Sequence, residues 1–389
     1  MHLFLRFSWA IAITAAVAPG FAADTPSLPF RPQVVDDKLR IGYGLAIADV
    51  DGDKRDDILL ADAREIVWYR NPTWEKFVMA RELTAKDNVC IAARDIDGDG
   101  KAEVAVGAEW NPGDTVGSGA IFYLERPQDP TSLWRAVRLP HEPTTHRMHW
   151  LKTDASRWLL AVLPLHGRGN KAGAGEGIVF QGYEYTANPA AEWPTVILDR
   201  GLHLAHNFDL TESPGAATSL LVAAKEGVQR LTQAGGRWTT QAVTTTPAGE
   251  VRSGRDLKGD EYVVTIEPMH GNQVWVTRTG SPEGGRALLD DGLIEGHALA
   301  TGDLLAIGHD QIVVGWRGSA ARRGQKVGIK LYAASEGSET AWTLRGLIDD
   351  NTMACEDLKL ADLNGDGRLD VIAAGRATKN LIIYWNETP

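Results

Sequence analysis

From about residue 30 onward the chain alternates short apolar runs with polar, glycine-rich breaks, and no helix-length segment has helical periodicity. Runs such as Ile58-Leu-Leu60, Val104-Ala-Val106 and Val371-Ile-Ala-Ala374 predict short strands joined by tight turns. The pattern repeats. Strands that open a repeat begin near Tyr43, Val89, His146, His206, Glu250, His297 and Glu356, at intervals of 44 to 60 residues. That length holds four strands with their loops, and seven such units fill the chain, which predicts an all-β, seven-bladed β-propeller. In five repeats an Asp stands six residues after the start: Asp49, Asp95, Asp256, Asp303 and Asp362.

A second signature marks the outer strands. Asp199, Asp290 and Asp349 each stand seven residues before the next opening strand, and Asp36 stands seven before Tyr43. The chain stops after a third strand, Leu381-Ile-Ile-Tyr-Trp385. The N-terminal segment is therefore expected to supply the fourth strand of the last blade and to close the ring, leaving no free edge there. Residues 30–389 read as one such propeller. The scattered tryptophans (Trp68, Trp110, Trp134, Trp193, Trp238, Trp342, Trp385) suit packing within and between blades.

Three breaks carry a chemical pattern. Asp49-Val-Asp51-Gly-Asp53 with Asp57, Asp95-Ile-Asp97-Gly-Asp99 with Glu103, and Asp362-Leu-Asn364-Gly-Asp366 with Asp370 place oxygens at relative positions 1, 3, 5 and 9. Such spacing wraps a hard cation, Ca²⁺ or Mg²⁺. Strands rather than helices follow, so these are cation loops within hairpins and not EF-hands. They join first to second strands, which puts them on the face opposite the opening residues and gives them a structural role.

Composition narrows the setting. The net charge is −11, without a basic tract, which argues against nucleic-acid or anionic-membrane partners. Residues 1–22 read as a secretory signal, with Arg6, an apolar stretch and a small-residue end at Gly20-Phe-Ala22, so a periplasmic or secreted protein is expected. Two cysteines, Cys90 and Cys355, are too few for a disulfide scaffold and read as buried thiols.

The opening residues ring one end of the central channel. Three of the seven are His, in a chain with 10 His among 389 residues, and two are Glu. Imidazoles and a carboxylate converging on one axis suit Zn²⁺ with an open coordination position, and equally a wet, polar channel. In the fourth repeat the spacing selects either His206 or His203. Loops on the same face carry His166-Gly-Arg-Gly-Asn170, Lys225, His270-Gly-Asn-Gln273 and Arg376-Ala-Thr-Lys379, while His149 and His203 are placed to orient ligands.

His146-Arg-Met-His-Trp150, Leu163-Pro-Leu-His-Gly-Arg-Gly-Asn170, His206-Asn-Phe-Asp209, Glu267-Pro-Met-His-Gly-Asn-Gln273, Gly296-His-Ala-Leu299 and Met353-Ala-Cys-Glu-Asp357 resemble the propeller of aldos-2-ulose dehydratase and related bacterial keto-sugar lyases. The acidic loops alone say FG-GAP or VCBS repeat. The resemblance implies a zinc-dependent carbon–oxygen lyase acting by β-elimination on a small keto sugar such as 1,5-anhydrofructose, glucosone or a 3-keto-glycoside. On that reading His146, His206, Glu250 and His297 hold Zn²⁺, and His166, His270 and Glu356 are candidate acid–base groups. Tyr43, Arg147, Lys225 and Arg376 are candidates to bind the substrate. The alternative is a non-catalytic, calcium-stabilised propeller that binds glycan or protein. A Ca²⁺-dependent polysaccharide lyase ranks third, because its acidic substrates suit an acidic protein poorly.

Overall fold

The computed structural model describes residues 27–153, 157–211, 218–279, 285–319, 324–335 and 341–389. The signal reading of residues 1–22 lies outside them. Seven four-stranded antiparallel sheets stand around a central axis. Their innermost strands are Gly44–Ala48, Cys90–Arg94, Thr145–Lys152, Ala205–Thr211, Glu250–Arg255, Gly296–Gly302 and Cys355–Ala361, in blades 1 to 7. The ring closes as the N-terminal strand pattern implies. Phe30–Asp36 pairs with Leu381–Asn386, Phe30 opposite Asn386 and Val34 opposite Ile382, and becomes the outer strand of blade 7.

Burial follows from the stacking of sheet on sheet. Second strands, covered on both faces, read as unbroken apolar runs; Asp57–Ala61, Ser219–Ala224 and Gln311–Trp316 are buried throughout. Outer strands such as Arg135–Leu139 are largely exposed, and Glu75–Arg81 is exposed at its ends. The cores lie between blades: Trp68 of blade 1 packs with Ile91, Val104 and Val106 of blade 2, and Leu45 and Tyr69 of blade 1 with Ile372 and Ile383 of blade 7. Each such side chain contributes about 1.5–3 kcal/mol.

The recurrent outer-strand Asp has a physical reason: it latches each blade to the next. Asp36 accepts from Tyr69 Oη at 2.8 Å and Lys76 Nζ at 2.9 Å of blade 1. Asp290 accepts from Tyr332 and Lys330 of blade 6, Asp349 from Tyr384 Oη of blade 7 at 2.9 Å, and Asp199 from Thr240 Oγ1 of blade 4 at 3.0 Å. Cys90 and Cys355 are buried free thiols in blades 2 and 7.

Candidate metal centre

Four innermost strands break register at their first turn. The ladder to the second strand skips one residue between Thr145 and Arg147, Ala205 and Asn207, Gly296 and Ala298, and Cys355 and Asp357. The residues left over are His146, His206, His297 and Glu356. A bulge frees a side chain from strict alternation and re-aims it. Blades 1, 2 and 5 show no such break, so Tyr43, Val89 and Glu250 meet an undistorted ladder.

The bulged imidazoles share one mode of attachment. His146 Nδ1 lies 2.8 Å from the His206 carbonyl, His206 Nδ1 3.2 Å from the Gly249 carbonyl, and His297 Nδ1 2.6 Å from the Glu356 carbonyl. His206 Nδ1 also lies 2.9 Å from Glu250 Oε1. Every neighbour is an acceptor, which places the hydrogen on Nδ1 and leaves an Nε2 lone pair. Burial lowers the pKa of all three rings. Arg147 and Arg317 add to this at His146 and His297 respectively, while Glu250 opposes it at His206. At neutral pH they are uncharged, the form a metal requires.

His270 completes the group from a loop. It follows the second strand of blade 5, Glu261–Glu267, with a left-handed φ of 53°. The turn can lie against the innermost strand because residue 249 is glycine; a Cβ there would stand 2.7 Å from Met269 Cα. His270 Nε2 is 2.9 Å from His206 Nε2, and its ring stacks on that of His297 at 4.9 Å. Burial, then the neighbouring His206 and Arg317, push its pKa down to about 2. His206, His270 and His297 offer nitrogen atoms all within 4.8 Å of one another. Two buried imidazoles and one half-buried one, all neutral, fit a zinc-type ion and leave a position open for water or substrate.

Two of the four expected ligands stand beside this group. His146 Nε2 faces Arg147 Nη1 at 3.0 Å, and its ring stacks on Trp110 at 4.9 Å. Glu250 lies behind His206, its second oxygen accepting from Asn207 Nδ2 at 2.5 Å, in the place of a carboxylate that orients a ligand. Burial pushes the Glu250 carboxyl up, but the hydrogen bond with His206 and the charges of Arg252 and Arg147 outweigh it and hold the pKa low. His270, expected as an acid–base group, takes a place in the cluster instead.

Glu356 sits at its rim, Oε1 3.8 Å from His297 Nε2. Arg317 Nη1 donates to it at 2.7 Å and Arg376 Nη1 at 3.4 Å. Both arginines line a cavity of about 580 Å³ beside the cluster, and Arg376 lies over the buried Tyr43 ring. His166 is half-buried in a loop bridged to Leu204, two residues before His206, and its buried Nδ1 has no hydrogen-bond partner among the described residues. Burial lowers its pKa. The remaining candidates are engaged elsewhere. Arg147 folds back on His146, and Lys225 Nζ holds the Gly173 carbonyl at 2.9 Å. His203 pairs with Glu226 at 2.9 Å, which leaves His206 as the axial residue of blade 4. His149 packs edge-on to Phe208 and lines a cavity of about 670 Å³ with Arg252 and Asp209, all from the middle of their innermost strands.

The acidic loops join first to second strands, away from this cluster. Asp49, Asp51 and Asp53 converge, as do Asp95, Asp97 and Asp99. In the third, Asn364 Nδ2 is hydrogen-bonded to Asp366 at 3.0 Å. The position-9 carboxylates are buried beneath and fasten backbone: Asp57 accepts from Val50 and Asn71 amides, Glu103 from Ile96, and Asp370 from Leu363 and Asn386. Burial pushes Asp57 and Glu103 up to about 7 and Asp370 up to about 6.

Comparison with known proteins agrees with this architecture. Residues 49–106 match the FG-GAP-like repeat family and residues 91–124 the FG-GAP repeat. Residues 118–279, from late blade 2 through most of blade 5, match the family model described as aldos-2-ulose dehydratase, beta-propeller domain. No curated protein matches the chain. Among solved structures, a chain of a mitotic checkpoint complex superposes with a TM-score of 0.58 at 12% identity, covering 98% of each chain. One from BBS1N in complex with ARL6DN gives 0.57 at 13%, covering 94% of this chain and 98% of that one. At such identity these show the fold alone. The chain is a seven-bladed β-propeller that matches FG-GAP repeats over residues 49–124 and resembles the propeller domain of aldos-2-ulose dehydratase over residues 118–279.

Proposed function

We propose that this protein is a metal-dependent carbon–oxygen lyase that eliminates water or an aglycone from a small keto sugar such as 1,5-anhydrofructose, glucosone or a 3-keto-glycoside. The observation that carries the reading is the buried His206/His270/His297 group beside a sugar-sized cavity, in a chain matching a dehydratase propeller. Zn²⁺ held by these three rings would act as a Lewis acid on the substrate's carbonyl, acidifying the adjacent C–H by several kcal/mol. The chain's own residues supply the rest. Glu250 holds His206 in its Nδ1–H tautomer, and the Glu356 carbonyl does the same for His297. His166, half-buried and held neutral by that burial, would accept the proton from the carbon next to the carbonyl. That C–H pair becomes the new C=C bond as the C–O bond to the leaving group breaks. The leaving oxygen takes a proton from water at the cavity mouth. Glu356 fixes Arg317 and Arg376 at the cavity wall for the sugar hydroxyls.

The acidic loops belong to the same reading as Ca²⁺ or Mg²⁺ sites that pin the opposite face, filled in a periplasmic or secreted setting. The test is ultraviolet absorbance of the unsaturated product from 1,5-anhydrofructose and from a 3-keto-glucoside, with and without a zinc chelator. Turnover lost on chelation and restored by zinc supports the lyase, and His166→Asn is then expected to cut kcat by about 10²–10⁴ without changing metal content. No turnover with either sugar by zinc-loaded protein would overturn it in favour of the calcium-stabilised binding propeller.

A further inference from the structure

The cavity beside the metal centre is cationic in an acidic protein. Its walls carry Arg40, Arg317, Arg376 and Lys379, against one lining carboxylate, Glu295. Arg317 is satisfied on two sides, by Glu295 Oε2 at 3.1 Å and Glu356 Oε2 at 2.7 Å, and Arg376 shares Glu356. Arg40 and Lys379 are exposed and make no side-chain ion pair among the described residues, although the Arg40 charge helps to lower the Glu82 carboxyl. Four cations thus stand with two carboxylates at this wall. A neutral sugar gives such a wall nothing to neutralise, whereas an anion is drawn to it.

The cavity also adjoins the reacting position. The Arg317 guanidinium lines it and lies 3.4 Å from His270 Nδ1, and Glu356 stands between Arg317 and His297. Arg317 is thus shared by the cavity wall and the edge of the His group.

We infer that the natural substrate carries a carboxylate, held between Arg40 and Lys379 with Arg376 while its keto carbon lies at the His206/His270/His297 group. The carboxylate can belong to the sugar, as in a uronic acid, or to the leaving group, as in an acidic aglycone. The inference rests on the lyase reading for the keto carbon, but anion binding is measurable without turnover.

The experiment is calorimetric titration of zinc-loaded protein with three unoxidised, unreactive glycosides: methyl β-glucoside, methyl β-glucuronide and 4-carboxyphenyl β-glucoside. One of the two acids is expected to bind at least about tenfold more tightly than methyl glucoside, and which one identifies where the carboxylate sits. That preference should weaken with added salt. It should fall to near parity in Arg40→Gln/Lys379→Gln and return in Arg40→Lys/Lys379→Arg. Equal binding of all three ligands, or a preference untouched by the double Gln substitution, overturns the inference. Turnover of the matching neutral and acidic 3-keto-glycosides is followed in parallel. Acid-selective binding with no elimination from any of them would sink the lyase reading alone; elimination without acid selectivity would sink this one alone.

Discussion

The two faces of this propeller hold two kinds of candidate cation site. On one, each acidic loop draws its oxygens from a single hairpin; Asp49, Asp51 and Asp53 are neighbours in sequence and converge because one tight turn brings them together. On the other, His206, His270 and His297 come from the innermost strands of blades 4 and 6 and a loop of blade 5. The first site needs only its turn. The second needs three blades in place, three bulges or turns that re-aim side chains, and acceptors on neighbouring blades to set the tautomers. The local site is hard-ligand, exposed and structural; the assembled one is nitrogen-only, buried and suited to chemistry.

The sharpest way to break this comparison is to remove one ring from the assembled site. His297→Ala is expected to lose the transition metal and at least about 10³ in turnover, since the Lewis acid supplies several kcal/mol. Its Ca²⁺-dependent melting temperature should match the wild type. Metal analysis and thermal melts check this together, and retained zinc with full activity would refute the assignment.

Next in size is Glu250→Gln, which keeps shape and removes the charge behind His206 Nδ1. Zinc affinity should fall about 10–100-fold, measured by competition with a chelator. If Glu250 were itself a ligand the loss would approach that of His297→Ala.

A smaller effect separates the acidic face by pH. Asp57 and Glu103 titrate at about 7 and Asp370 at about 6 in the fold, above ordinary carboxylates. A raised group binds protons in the native state that it lacks when unfolded. Its contribution is therefore complete below about pH 4 and is lost as pH rises through 6–7. Ca²⁺ in the loops above would offset that loss. The calcium-induced rise in melting temperature should be larger at pH 8 than at pH 5, corresponding to a stabilisation of up to about 2.7 kcal/mol at a hundredfold excess over Kd. An equal rise at both values would detach these carboxylates from the cation sites. The smallest expected change is zinc occupancy in Asp97→Asn, which should stay at the wild-type level.

Much of the ring was legible because its signals are local and periodic. The strand starts at Tyr43, Val89, His146, His206, Glu250, His297 and Glu356 fall within one residue of the observed strands. The Asp36 signature foretold the closing strand because that carboxylate has the same work, a latch to the next blade's tyrosine, as Asp290 and Asp349. The site was legible only in outline. Spacing brought His206 and His297 to the axis but also enlisted His146, whose Nε2 is taken by its own neighbour Arg147. It enlisted Glu250 as a ligand because nothing in sequence tells a ligand from the group behind it. His270 looked like a free loop imidazole. Its place depends on a left-handed backbone and on Gly249, a contact between a loop and a strand no pattern reports. The bulges leave no trace in composition either, although a His or Glu at the same strand start in five of seven repeats, four of them bulged, was the available hint.

The most direct test is an anomalous difference map, collected at the zinc edge from crystals of the zinc-loaded protein. The account predicts one strong peak about 2.0–2.1 Å from a nitrogen of each of His206, His270 and His297, with none at His146 or Glu250. A peak bridging His146 and Glu250, or no axial peak at all, would contradict it.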